Sequence, residues 1–204
     1  MLPVVISLFE MAKARCDWVG ADDLMIAYHD TEWGVPLRDD RKLFEFMILD
    51  AMQAGLNWRI VLQKRENFRL AMDHFDLRKV AKYGDTDMVR LMSDVGIIRN
   101  KQKLAASITN ARGAVELQKE FGSLSDYLWG YVGHKPIVKS PKSQDEIPVT
   151  SPEAQAMSKD LIKRGFKFVG PTICYAFMQA AGLVNDHLTG CFRYRELKHS
   201  RRTS

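Results

Sequence analysis

Only three cysteines, Cys16, Cys174 and Cys191, occur in the 204 residues. They are too few and too scattered for a disulfide framework, so the expected compartment is the reducing cytoplasm. Long hydrophobic runs are missing as well. The apolar stretch near the start, LPVVISLF, has no basic region before it and no convincing cleavage site behind it. It is far too short to cross a bilayer, so neither a targeting signal nor a membrane partner is expected. No stretch alternates apolar and polar residues as a half-buried strand would, and there is no internal repeat or low-complexity tract; the expected fold class is all-α. Overall disorder is excluded by 46% hydrophobic residues against 27% charged. A formal charge of +5 and a pI near 9.1 permit binding to a polyanion without requiring it.

The chain is organised around LFEFMILDAMQAGLNW, residues 43 to 58. Leu43 to Ala54 is apolar on nearly every side and free of proline, the pattern of a helix buried all round. Asp50 lies inside it, where an ionised carboxylate is costly unless donors or a ligand satisfy it. Gly55 can end the helix in a left-handed conformation, and a tight turn then presents Leu56, Asn57 and Trp58. An acid at the floor, a wedge-sized aliphatic and a large flat ring suit a pocket for a planar heterocycle. A core helix with one hydrogen-bonded Asp and a packing Trp fits these residues equally well.

Residues 1–12 read as a dispensable N-terminal extension, 13–195 as one domain with two lobes, and 196–204 as a basic tail. Cys16 to Pro36 is rich in aromatics, with a short helix expected over Asp23 to His29 behind an Asp22 cap. Asp39 or Asp40 caps the central helix. Helices are further expected over 59–72, 76–82, 86–92, 101–118, 124–132 and 152–164, with an irregular connector over 134–152 and a long apolar helix from Pro171. Between the helices at 86–92 and 101–118 lies DVGIIRN, a short hairpin in which Gly96 allows the turn and Ile97 and Ile98 are the anchor. Arg99, Lys101 and Lys103 gather at the start of the second helix. Such a helix-hairpin-helix can hold a phosphate on free backbone N–H groups, although an ordinary helical hairpin has the same pattern.

His187 and Cys191 are four apart, so on one helical turn they would face the same way. Cys16 and His29 are the obvious partners in a tetrahedral Cys2His2 zinc set joining the two ends of the domain. From spacing alone, satisfied core residues remain open as the alternative.

The motifs C-x-W, AYHD-x-EWGVP, LFE, QAGL-x-W, VL-x-KREN, GIIRN and KRGFKFVG-x-TICY-x-FMQA-x-GLVNDH, with the final Cys, run in order from Cys16 to Cys191. In these the chain resembles bacterial 3-methyladenine DNA glycosylase I. The resemblance implies a helix-hairpin-helix glycosylase fold, a structural Zn2+ on Cys16, His29, His187 and Cys191, and excision of an alkylated base from double-stranded DNA by a monomer. Asp50 and Tyr28 would then read the base edge as catalytic residues. Trp58 would stack on the base with Trp18 or Trp33 opposite, Leu56 would be the wedge, and Gly55, Gly96, Ile97, Arg99, Lys101 and Lys103 would meet the DNA. Thr172 stands where many of the superfamily carry an Asp, and no Lys is placed as an amine nucleophile, which implies no lyase step. The free base would be the product; a non-catalytic binder of alkylated or abasic DNA is the alternative, and a zinc hydrolase is disfavoured because a full Cys2His2 shell leaves no open position. The chain departs from the family pattern at Asp50, Ala51 and Asn57, where Glu, Gly and Ser are usual.

Overall fold

Leu43 to Met52 is buried at every position, including Glu45 and Asp50. The structure is a computed structural model and describes residues 13–199; the expected extension and the end of the tail lie outside them. In order, the helices are α1 (Asp23–Thr31), α2 (Asp40–Gln53), α3 (Trp58–Ala71), α4 (Leu77–Val80), α5 (Asp85–Ser93), α6 (Lys101–Phe121), α7 (Leu124–Gly130), α8 (Pro152–Lys163), α9 (Pro171–Ala180) and α10 (Phe192–His199). Helix α10, which the sequence patterning did not suggest, runs past residue 195. Helix α2 packs against α3, α6, α7 and α9.

Local signals set most of the boundaries. The side chain of Asp22 accepts from Leu24 and Met25 at the start of α1, Asn57 from Arg59 at α3, Asn100 from Lys103 at α6, and Ser151 from Ala154 at α8. Asp39 caps α2, whereas Asp40 accepts from the backbone N–H groups of Leu124 and Ser125 and so caps α7 instead. Both acids are therefore caps, of different helices.

Two expectations need correction. Helix α9 stops at Ala180 instead of continuing to Val184. Gly182 takes φ +71 there, and an added Cβ would collide with the backbone of Val35 and Pro36. The carbonyls of Gln179 and Ala181 accept from Gly34 and Leu37 of the loop before α2. The chain then forms a two-residue strand β2 (Val184–Asn185), parallel to β1 (Ile137–Val138) in the connector. This short ladder is the sole departure from an all-helical architecture among the described residues, and four residues give no alternation to detect.

Candidate functional site

The end of α2, the start of α3, the Cys16–Trp33 segment and the outer face of α9 enclose a cavity of about 330 Å³. Trp18, Tyr28, Trp33, Asp50 and Trp58 all line it. Tyr28 and Trp58 lie with ring centroids 5.3 Å apart, and Trp18 and Trp33 with centroids 5.1 Å apart. Asp50 Oδ2 and Trp58 Nε1 are buried, yet neither has a hydrogen-bond partner. Each such group costs about 1 to 3 kcal/mol when left unmade, so an aromatic pocket that keeps two of them suits a polar, flat ligand. Burial pushes the Asp50 carboxyl well above its ordinary range, partly opposed by Arg65, and burial beside Asp50 also raises the Tyr28 phenol.

Several lining residues were not expected: Met25, Thr172, Tyr175 and Gln179, and Gln144 with Ile147 to Val149 from the connector. The connector's prolines signalled irregularity, but nothing in its composition pointed to its place in the cavity wall.

Leu56 and Gly55 lie outside the lining, at its edge. Gly55 takes φ +78, and Leu56 is 41% exposed on the resulting turn. The hairpin residues divide. Arg99 and Lys101 are exposed, and the N–H groups of Ile98, Arg99, Lys101 and Gln102 have no acceptor among the described residues. The Gly96 N–H, however, is taken by Asp94 Oδ1 at 2.7 Å, and its carbonyl accepts from Lys64 and Asn67 of α3. Ile97 is buried as the anchor. Lys103, expected at the DNA surface, is also buried: its ammonium donates to the carbonyls of Met52 at 2.8 Å and Ala54 at 2.6 Å. It closes the open C-terminal end of α2, where a cation is favoured, and spends two of its three donors there.

Behind the pocket wall, donor atoms of Cys16, His29, His187 and Cys191 lie within 4.8 Å of one another, all four residues buried. His29 and Cys16 come from the α1 region as expected, but His187 and Cys191 do not share a helical turn. They sit on an irregular loop between β2 and α10, brought together by the Leu188–Cys191 turn. The donor set fits a soft divalent ion. His29 Nδ1 meets Asp30 at 2.7 Å, leaving Nε2 toward Cys191, and His187 Nε2 meets the Trp33 carbonyl at 3.0 Å, leaving Nδ1 toward both sulfurs. Outer partners that fix each ring in this way are typical of metal-binding histidines. Arg15 in turn holds Asp30 through two nitrogens. The neighbouring Cys191 sulfur and burial push the Cys16 thiol up, so that it binds its proton more tightly, while Cys16 and both imidazoles pull the Cys191 thiol down. A divalent cation would take the place of that proton.

The methyladenine glycosylase family profile matches residues 18–194. DNA-3-methyladenine glycosylase 1 of Escherichia coli (strain K12) is 51% identical over 180 residues, which is 88% of this chain and 96% of that protein. A crystal structure of a 3-methyladenine DNA glycosylase I superposes with a TM-score of 0.85 at 50% identity, covering 88% of this chain and 98% of the other. A structure that addresses 3-methyladenine recognition by 3-methyladenine DNA glycosylase I of Staphylococcus aureus gives a TM-score of 0.85 at 35% identity, over 87% and 95% of the two chains.

Proposed function

The chain belongs to the methyladenine glycosylase family, and from that premise we propose that it is a monofunctional glycosylase that flips 3-methyladenine out of double-stranded DNA and excises it by hydrolysis. The observation that carries this reading is the pair of unpartnered polar atoms, Asp50 Oδ2 and Trp58 Nε1, inside an aromatic cavity. Unstacking costs a few kcal/mol and least for a damaged base, so the chain needs a wedge outside the pocket and stacking surfaces within. Leu56, exposed on the α2–α3 turn, is placed to fill the vacated position in the duplex. Trp58 stacks on the base, and Trp18 and Trp33 face it from the other wall. A cationic purine gains a further 0.5 to 2 kcal/mol or so against such rings.

Asp50 and Tyr28 read the base edge. Beside the positively charged base Asp50 is the ionised counter-charge, any proton it carried having passed to water. The bond from C1′ to N9 then breaks with both electrons going to the base, which leaves uncharged. Water adds at C1′ and loses a proton, and an abasic site remains. Phosphates are held by the N–H groups of Ile98, Arg99, Lys101 and Gln102 with the side chains of Arg99 and Lys101, at the N-terminus of α6. Cys16, His29, His187 and Cys191 would hold a structural Zn2+, which would clip the segment from Cys16 to α1 onto the loop before α10. The protein works as a cytoplasmic monomer in base excision repair.

Chromatography of bases released from methylated DNA tests the reading. Wild type is expected to release 3-methyladenine and Asp50→Asn at least about tenfold less, as when a group pairing with a charged ligand is removed. A folded wild type that binds such DNA but releases no base is instead the non-catalytic binder.

A further inference from the structure

Asp186 is buried beneath the base cavity and touches two of its lining residues. Its Oδ2 accepts from Tyr175 Oη at 2.6 Å and from Gln179 Nε2 at 2.8 Å. Its Oδ1 is buried and has no partner, so Tyr175 and Gln179 are its hydrogen-bond donors among the described residues. Both project from α9 toward the cavity that holds Asp50 and Trp58.

This arrangement fixes the chemistry of one patch of the wall. A carboxylate can only accept, so the amide of Gln179 must turn its NH2 toward Asp186. The carbonyl end, Oε1, has no hydrogen-bond partner and is left as an acceptor at the cavity. Without Asp186 the amide could present either end. With it, Gln179 offers the cavity an acceptor and Asp50 once ionised adds another, while the unpartnered donor, Trp58 Nε1, belongs to α3.

We propose that Gln179, oriented by Asp186, is a specificity-determining residue that selects a purine carrying an exocyclic amine over one carrying an oxo group. Adenine presents an N6 amine donor where guanine presents an O6 acceptor. An acceptor facing O6 leaves two lone pairs opposed and both groups without a partner, which a site built around a hydrogen bond penalises strongly. Gln179 touches the base; Asp186 acts through it and is a positioning residue. The inference rests on the excision reading for its substrate but not for its logic, since base binding alone reports it.

Two measurements are made on the full-length protein: release of 3-methyladenine and 3-methylguanine from methylated DNA, and calorimetric binding of the two free bases. The variants are Gln179→Leu, which removes the acceptor, and Asp186→Asn, whose amide can donate to Gln179 Oε1 and so turn the NH2 into the cavity. Zinc content is measured in each, because Asp186 adjoins His187. In Gln179→Leu the preference for the adenine base is expected to fall roughly tenfold, the scale on which loss of one such contact is read. Asp186→Asn should shift it further in the same direction while leaving the cavity volume unchanged, which a purely structural role would not do. A wild-type preference in both variants overturns the proposal. Where Asp186→Asn fails to fold or loses zinc, Gln179→Leu decides alone. A wild type that releases no base yet shows the Gln179-dependent binding preference overturns the excision reading and supports this inference; excision with a Gln179-independent preference does the reverse.

Discussion

Asp50 shows how far a single position can be read. Its place in an apolar run marked it as costly from the sequence alone, and it is 4% exposed with one oxygen unpartnered. That Arg65 partly relieves it was not legible, because Arg65 lies on α3. Burial raises its pKa in the folded protein above that of the unfolded chain, so the folded state binds the proton more tightly. Stability is therefore undiminished below the ordinary carboxylate range and is lost as pH rises from there toward the raised value. Asp50→Asn removes this penalty. Thermal melting from pH 4 to 8 is expected to show the variant more stable than wild type by about 1 to 3 kcal/mol at neutral pH, with the gap closing in acid. A variant less stable at pH 8 than at pH 4, relative to wild type, would contradict it. Asn57 is simpler: it caps α3 through Oδ1 at 2.8 Å, which a Ser can also do, so that departure from the family pattern preserves the turn.

At the scale of elements, the helices were legible because caps and apolar spacing are local. The contacts between their ends were not. Lys103 belongs to a basic cluster in the sequence, and nothing local reveals that its ammonium crosses to Met52 and Ala54. Likewise a spacing of four suggested a helical turn for His187 and Cys191, whereas strand pairing at Val184–Asn185 holds that stretch in a loop. The hairpin and the turn bearing Leu56 are thus tied together by Lys103, while Lys101 remains free to meet phosphate. Their variants should separate accordingly. Lys101→Glu is expected to weaken binding to all DNA sequences and to lower the slope of log affinity against log salt by about 1. Lys103→Met should leave that slope unchanged but destabilise the protein by roughly 1.5 to 3 kcal/mol, the scale of hydrogen bonds from a charged group. If Lys103→Met altered the slope as Lys101→Glu does, the buried placement would be wrong in the DNA-bound state.

Across the whole molecule, the buried Cys2His2 group brings residues 171 positions apart into contact, with Cys16 Sγ 3.6 Å from His187 Nδ1. The four residue types were legible in the sequence; the outer partners that orient them, Asp30 and the Trp33 carbonyl, were not. Removing one ligand by Cys16→Ser should lower stability by more than about 2 kcal/mol and leave less than one zinc per chain, checked by melting and elemental analysis. Equal stability with and without metal would rule out a structural ion. The position of Trp33 has one more consequence. Its ring lies 4.5 Å from that of His187 on one side and lines the base cavity on the other. Of the four tryptophans in the chain, Trp18, Trp33 and Trp58 line this cavity, while Trp129 is sealed in the interior with Arg38 over its ring. Three of the four indole emitters therefore sit at one place, with Trp129 away from it as an internal reference. Loading of the ion and arrival of a base should each leave a distinct optical signature, so the unlabelled protein can report the order and speed of both events in a stopped-flow experiment.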